Sequence, residues 1–551
     1  MEKFYWLNAD SRTFLSRGYL GPNETAEQRI RDIANTAENY LKIEGFADKF
    51  YDYMSRGFYS LASPVWANYG KAQGLPVSCF GSYIDDNMES ILFGVAENGM
   101  LMKNGGGTSG YFGAVRHRGA PITGAGASSG SVHFMQLYDT LASVVSQGSV
   151  RRGFFTAYQD IEHPDAEEFL DIGTEGNPIQ GLTTGIVVSD QFINDMKNGD
   201  TEKRRIWAKV LQTRSEIGFP YILFADNVNK NKPQVYKDKN LQIYASNMCV
   251  EISLPSAVDE TFTCVLSSLN LLHWDEIINT DAIEVLIMFL DTVCEEFIRK
   301  TEGHEYLRRA RQFAINHRAL GAGVLGWHSY LQSKMIGFES KAAAMKNLEI
   351  AKTFAERSHR ASQQLAAMFG EPPLLKGYGL RNTTTMAIAP TKSSSFILGQ
   401  VSQSIEPEFS NCYVKDLAKI KVTIKNPYLL QLLEEKGMNT DEVWESIKIA
   451  DGSVQHLDFL TQEEKEVFKT FAEIDPYTII DQAAVRQQYI DQGQSLNLML
   501  DPDMSVKEIN SLYLYAHEMG VKSLYYSYSM SKAQSLTRKR VMSNNCAACE
   551  A

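Results

Sequence analysis

The sequence predicts an α/β fold. From Leu61 onward, short apolar runs flanked by turn formers recur along the chain, and helical stretches separate several of them. At 551 residues, the length suits either three or four average domains or one large barrel. The hydrophobic fraction of 44% and charged fraction of 22% are those of an ordinary globular chain.

The elements follow in order. Residues 1–60 read as helical, because Ala26 to Tyr53 carries apolar positions at helical spacing with Glu, Arg and Lys between them. The texture then changes to candidate buried strands: VSCFGSYI, TTGIVV, YILFA, CVEISLP, CVLSSLNLL, TTTMAIAP and SLNLML. Asp281 to Lys300 and Asn347 to Phe369 read as intervening helices. Tyr428 to Tyr477 is more charged and helical, as expected of an excursion from the core. INSLYLYAHEMGVKSLYY reads as a helix ending at Tyr525 and Tyr526. After Arg538 the pattern dissolves into KRVMSNNCAACEA, a polar tail. The expected organisation is a helical region over 1–60, an α/β unit over 61–538 and a tail over 539–551.

Composition excludes several functions. A formal charge of −12 argues against binding polymeric nucleic acid, which needs basic surface to displace counterions. A single nucleotide needs only a local pocket of N–H donors and stays open. No run of about 18 apolar residues exists to span a bilayer. MEKFYWLNADSRTF lacks the apolar centre of a signal peptide, and seven cysteines then imply a reducing cytoplasm.

Gly105-Gly106-Gly107-Thr108-Ser109-Gly110 satisfies G-x-G-x-x-G, but YFGAVRHRGAPITG follows in place of the required helix. No Gly-Lys-Ser/Thr makes it a P-loop either. A loop of close backbone approach is the better reading. Ala389-Pro-Thr-Lys-Ser-Ser-Ser395 follows a β-rich run and suits a phosphate cradle at a helix start. An ordinary serine N-cap reads equally well from these residues alone.

The cysteines fall into distinct settings. Cys294 shares a helical face with Leu290, Phe297 and Ile298, as a core residue does. Cys412 has no evident partner. Cys546 and Cys549 form a lone Cys-x-x-Cys, better read as a redox pair than as half a zinc site. Asn247, Cys249 and Glu251 alternate along a predicted strand and would share one face. An amide, a thiol and a carboxylate are costly to bury together without purpose, although chance alternation reads the same way.

Together these residues resemble the large-subunit family of ribonucleotide reductases, from about Leu61 to the C-terminus. The resemblance rests on ASPVWAN with Pro-Val-Ser-Cys79, NMCVE, CVLSSLN beginning at Cys264, APTKSSS with Ser-Ile-Glu-Pro, QSLNL, GVKSLYY and the cysteine-bearing tail. It implies a ten-stranded α/β barrel with the reactive cysteine on a finger loop inside.

The resemblance also implies site roles. Cys249 would form a thiyl radical that abstracts the 3′-hydrogen of a ribonucleotide. Glu251 would act as general base on the 3′-OH, and Asn247 would hold the sugar. Cys79 and Cys264 would supply two electrons and end as a disulfide. Cys546 and Cys549 would re-reduce it, themselves recharged by a thioredoxin- or glutaredoxin-type protein. Thr391, Lys392, Ser393, Ser394 and Ser395 would hold the phosphates, with Ser63 and Ser78 near the sugar and phosphate. Lys392 stands where bacterial aerobic relatives often carry Glu; the added cation suits a di- or triphosphate.

Asp86, Arg116 and Ile122 match positions that contact a deoxynucleotide or ATP effector at a homodimer interface. Ser146 to Gly153, with Gln147 and Arg151, resembles the loop that relays effector identity. The usual N-terminal ATP cone needs about another hundred residues, so no on/off site of that kind is expected. No cofactor is expected in the chain itself. Tyr525 and Tyr526 match the tyrosine pair that receives a radical from a separate ferritin-like, metal-containing small subunit. Adenosylcobalamin is the alternative source, and a nucleotide-binding regulator without activity the non-enzymatic one. The glycyl-radical type is excluded because the tail has no glycine.

Overall fold

The computed structural model describes residues 2–147, 151–417, 420–501 and 503–529, with the side chains of 151–152, 415–417 and 420–422 left aside. Among the described residues no helix is long and apolar enough to cross a membrane.

The core is a barrel of two parallel half-sheets. The first half runs Cys79–Tyr83, Gly107–Tyr111, Phe155–Asp160, Thr183–Val188 and Tyr221–Phe224, each parallel to the next. Their residues are almost all buried, as in parallel sheets covered on both faces, which explains the unbroken apolar runs in the sequence. The second half starts with Phe262–Asn270, parallel to Leu320–Leu325. Bridges from Ala322 to Met386 and from Ile388 to Gln494 extend it in parallel. Leu498–Leu500, which follows Gln494, pairs in parallel with Ser527–Ser529.

Two antiparallel seams close the circuit. Phe262, Thr263 and Cys264 pair with Gly81, Phe80 and Cys79 at one seam. Ile222 and Leu223 pair with Leu524 and Ser523 at the other. The expected ten strands are met by five segments in each half, two of them joined by single bridges.

The N-terminal region forms helices Ala9–Ser16, Ala26–Leu41 and Phe46–Ser55. Thr25 and Gln28 form a capping box that starts the second, and Ile30, Ile33, Ala34, Ala37 and Leu41 give it a buried stripe. Strand Tyr59–Leu61 then pairs antiparallel with Ser267–Leu269, and one hydrophobic core runs from Trp6 to Tyr528.

Helices cover the barrel where periodicity places them, including Ala282–Lys300 and Lys341–Phe369. Cys294 is buried in the first of these, and burial pushes its thiol up to about 12. The charged excursion forms helices Pro427–Glu435, Asp441–Ile449 and Gln462–Val467 around a separate apolar cluster, and that cluster contains Cys412. Packing there is the use of a thiol whose sequence context offered none.

Two expectations fail. CVEISLP is not a strand: residues 246–256 are an irregular loop turning at Met248–Cys249, with Val250 at φ 60°. A β-branched residue in the left-handed region is strained, so surrounding contacts must hold it there. Nor do the adjacent tyrosines end a helix. Helix Val506–Glu518 stops before Gly520, and Tyr525 and Tyr526 lie on the extended segment that follows.

Candidate active site

The loop carrying Asn247, Cys249 and Glu251 is tied to both halves of the barrel. From the first half, Ser109 Oγ donates to Ser246 O at 2.7 Å and Tyr158 OH to Asn247 O at 2.7 Å. From the second, Ser495 Oγ donates to Cys249 O at 2.6 Å and Ser523 Oγ to Val250 O at 2.9 Å. Gly493 N–H donates to Glu251 O at 2.7 Å. A Cβ on Gly493 would stand 3.1 Å from that oxygen, a tight contact that the loop would have to relieve by a few tenths of an ångström. Asn247 Oδ1 accepts from Ile252 N–H at 3.2 Å and closes the turn. These bonds satisfy a buried irregular backbone and hold Val250 in its strained state.

The three side chains therefore converge through a turn rather than by strand alternation. All are at least 95% buried. Ser495 Oγ lies 3.3 Å from Glu251 Oε2, and Asn247 Nδ2 lies 3.6 Å from Cys79 Sγ. Tyr525 OH donates toward Cys249 Sγ at 3.7 Å.

Cys79 and Cys264 occupy directly opposed positions on the antiparallel seam, and neither is in a disulfide. Ser78 Oγ lies 3.8 Å from Cys79 Sγ, and Gln492 Nε2 lies 3.3 Å from Cys264 Sγ. Burial pushes the Cys264 thiol well above the ordinary range, and the Gln492 contact only partly offsets it. A Cβ on Gly321 would meet Cys264 Sγ at 3.1 Å, so glycine makes room for the thiol.

Behind Tyr525, the Tyr526 ring stands 4.3 Å away, and Tyr221 OH donates to Tyr526 OH at 2.8 Å. The Tyr221 ring lies 4.8 Å from Tyr525. Asn497 Oδ1 accepts from Tyr526 N–H at 3.0 Å, and Asn497 Nδ2 donates to Glu406. Glu406 is buried, and its carboxyl is pushed up to about 7 by burial, against the pull of Asn497 and the nearby Lys392 ammonium.

The Ala-Pro-Thr-Lys-Ser-Ser-Ser segment turns through Thr391, at φ 54°, into helix Lys392–Ile397. Thr391 Oγ1 accepts from Ser404 N–H at 2.8 Å, and Ser394 O accepts from Ser60 Oγ at 2.8 Å. Ser395 Oγ turns back to Lys392 O, whereas the buried Ser393 and Ser404 hydroxyls have no hydrogen-bond partner among the described residues. Buried hydroxyls without partners beside a helix start are groups a phosphate would satisfy. Ser63 opens helix Ser63–Asn68, and Tyr19 OH lies 3.5 Å from its hydroxyl.

Away from this centre, Asp86 pairs with Arg116 at 2.8 Å, and Arg116 also donates to Pro121 O beside the half-exposed Ile122. Gln147 is the Cα partner of Arg151 in a two-stranded hairpin. Gln147 Nε2 reaches Asn68 Oδ1 at 3.4 Å, on the helix that Ser63 begins. Gly105, at φ 91°, packs where a Cβ would clash with Gln147, and Gly107 starts a strand. The glycine run thus joins a helix to a strand, the reverse of the dinucleotide turn. Cys546 and Cys549 lie outside the described residues.

Sequence reasoning gave no role to Tyr221, Gln492, Ser495, Glu406 or Asn497. Ser495 and Asn497 stand in QSLNL and Glu406 in Ser-Ile-Glu-Pro, so the motifs marked the segments without marking these side chains. Tyr221 sits in an apolar run with no local signal of its hydroxyl's partner.

The ribonucleotide reductase barrel domain matches residues 77–203, 194–375 and 373–527. A putative ribonucleoside-diphosphate reductase large subunit of Frog virus 3 (isolate Goorha) is 35% identical over 500 residues, covering 87% of each chain. The large subunit of Invertebrate iridescent virus 3 is 33% identical, covering 88% of each. Among solved structures, the Actinobacillus ureae class Id ribonucleotide reductase alpha subunit is 56% identical with a TM-score of 0.92, covering 97% of this chain and 99% of that one. The barrel, its inner loop and these matches together make the chain a member of the ribonucleotide reductase large-subunit family.

Proposed function

We propose that this chain is the catalytic subunit of a two-protein ribonucleotide reductase and converts ribonucleoside diphosphates to 2′-deoxyribonucleotides. The observation that carries the two-protein reading is the Tyr525 hydroxyl, 3.7 Å from Cys249 Sγ, with the Tyr526 ring 4.3 Å behind it. Once oxidised, such a pair takes a hydrogen atom from a buried thiol. An adenosylcobalamin enzyme, which makes its radical beside the cysteine, has no use for it. The likeness to a class Id alpha subunit favours the same side.

In this reading Cys249 abstracts the 3′-hydrogen and Glu251 takes the 3′-OH proton, which helps the 2′-OH leave as water. Cys79 and Cys264 give up two electrons and two protons and become a disulfide. Asn247, within reach of Cys79, holds the sugar near the reductants. Ser63, Ser78, Thr391, Lys392, Ser393, Ser394 and Ser395 hold the sugar and phosphates. Cys546 and Cys549 exchange with the buried disulfide and are recharged by a thioredoxin- or glutaredoxin-type protein. Asp86, Arg116, Ile122, Gln147 and Arg151 serve a deoxynucleotide or ATP effector in an effector-dependent homodimer. The radical comes from a ferritin-like, metal-containing small subunit, and the working place is the cytoplasm. The segments 1–60, 61–538 and 539–551 act as support, catalytic barrel and redox tail.

The test adds either radical source to the purified chain with a ribonucleoside diphosphate, an effector and dithiothreitol. Deoxynucleotide is expected only with the small subunit, and none from Cys249→Ala or Tyr525→Phe. Product from adenosylcobalamin alone would overturn the two-protein reading, and product from Cys249→Ala the whole mechanism.

A further inference from the structure

The tyrosine pair does not end at Tyr526. Tyr526 and Tyr528 are two residues apart on an extended segment, so they face the same side. Their rings lie 6.0 Å apart and 25° from parallel. Beyond Tyr528, Phe409 stands edge-on at 5.3 Å and is 42% exposed. Phe471 packs on both rings, at 5.3 Å from Phe409 and 6.5 Å from Tyr528. Aromatic contacts therefore run unbroken from Cys249 through Tyr525, Tyr526 and Tyr528 to a ring at the surface.

We propose that Tyr528 is a third redox-active tyrosine of this chain, the outermost one, through which the radical enters on its way to Tyr526. The proposal rests on the two-protein reading above. The one-electron oxidant is an aromatic radical of the small subunit. Tyr528 gives that radical an electron and loses its phenolic proton to solvent, while the partner's aromatic group takes a proton from solvent. Tyr528 then recovers an electron and a proton from Tyr526. Tyr526 recovers both from Tyr525, and Tyr525 from the Cys249 thiol. One hydrogen atom's worth of charge moves outward and the radical moves inward. Phe409, which has no oxidisable hydroxyl, shields Tyr528 and offers the partner an apolar contact.

The experiment compares turnover of the full chain with its small subunit for wild type, Tyr528→Phe and Tyr526→Phe, with melting temperatures and substrate affinity alongside. Tyr528→Phe is expected to keep its melting temperature and substrate affinity and to lose turnover by roughly tenfold or more. A difluorotyrosine incorporated at position 528 keeps the ring and hydroxyl but ionises at lower pH. It is expected to restore turnover with a pH profile displaced to lower pH. Tyr528→Phe turning over within about twofold of wild type while Tyr526→Phe is inactive would overturn the role of Tyr528 alone. Full turnover by both variants would overturn the two-protein reading instead. Were Tyr528→Phe to melt early, the difluorotyrosine protein decides: an undisplaced pH profile overturns the proposal.

Discussion

Cys79 and Cys264 are Cα partners across the antiparallel seam that joins the two halves of the barrel. Directly opposed residues of an antiparallel pair sit about 4.5 or 5.5 Å apart at Cα, inside the span of about 4.4–6.8 Å that a disulfide bridges. The seam therefore lets this bond form and break without moving either strand. Turnover of the reduced chain with no external reductant is expected to stop near two equivalents, one for each thiol pair, leaving Cys79–Cys264 and Cys546–Cys549 disulfides in peptide maps. Cys79→Ser and Cys264→Ser should each lose at least about 100-fold in multiple turnover. Because burial raises the Cys264 thiol well above its ordinary range, it stays neutral at mildly alkaline pH. Its alkylation in the folded protein should lag far behind that in urea at the same pH.

Gly321 tests how closely that thiol is fitted. A Cβ there would come within 2.5 Å of Leu266 Cδ2, 3.0 Å of Ala387 Cβ and 3.1 Å of Cys264 Sγ. All three neighbours are buried, so none gives way freely. Gly321→Ala is expected to destabilise the fold by about 1–3 kcal/mol, read from urea unfolding. Its disulfide should also form more slowly than that of wild type.

What the sequence could reveal divides by the range of the forces involved. Thr183–Val188 and Tyr221–Phe224 were legible because parallel strands buried on both faces are short runs free of charged residues. CVEISLP alternates apolar with small or polar residues, as a half-buried strand does, yet it is a loop. Its shape is set by Gly493, Ser495 and Ser523, more than 200 residues away, which no local pattern records. Tyr525 and Tyr526 continued a helical pattern past Gly520, where the chain in fact straightens to pair with Leu496 and Leu498. The facing of Cys79 and Cys264 was implied only by family resemblance, since spacing cannot pair two cysteines 185 positions apart in sequence (79 to 264).

Glu406 predicts a pH dependence. Burial raises its carboxyl from 4.5 to about 7, so the fold favours the protonated form. That contribution is complete below pH 4.5 and is lost as pH rises towards about 7. Its full size is on the order of 3 kcal/mol. Glu406→Gln should flatten the fall in melting temperature across this window. Lys392→Met removes the cation that pulls the carboxyl down, and should steepen the fall and carry it to higher pH.

Gln147 and Asn68 offer a route from the proposed effector residues to the candidate active site. Their 3.4 Å contact joins the hairpin that bears Arg151 to the helix that begins at Ser63. A contact this long is weak as a hydrogen bond, so its loss should cost little stability. Its value would lie in coupling, and coupling is reciprocal: an effector that tightens substrate binding must itself be tightened by substrate. Gln147→Ala is expected to lower effector stimulation of turnover several-fold. Effector affinity, measured by equilibrium dialysis, should then no longer respond to added ribonucleotide. Asp86→Asn acts earlier, because it breaks the pair that orients Arg116. It should weaken effector binding itself, with a stability change below about 1 kcal/mol for so exposed an ion pair.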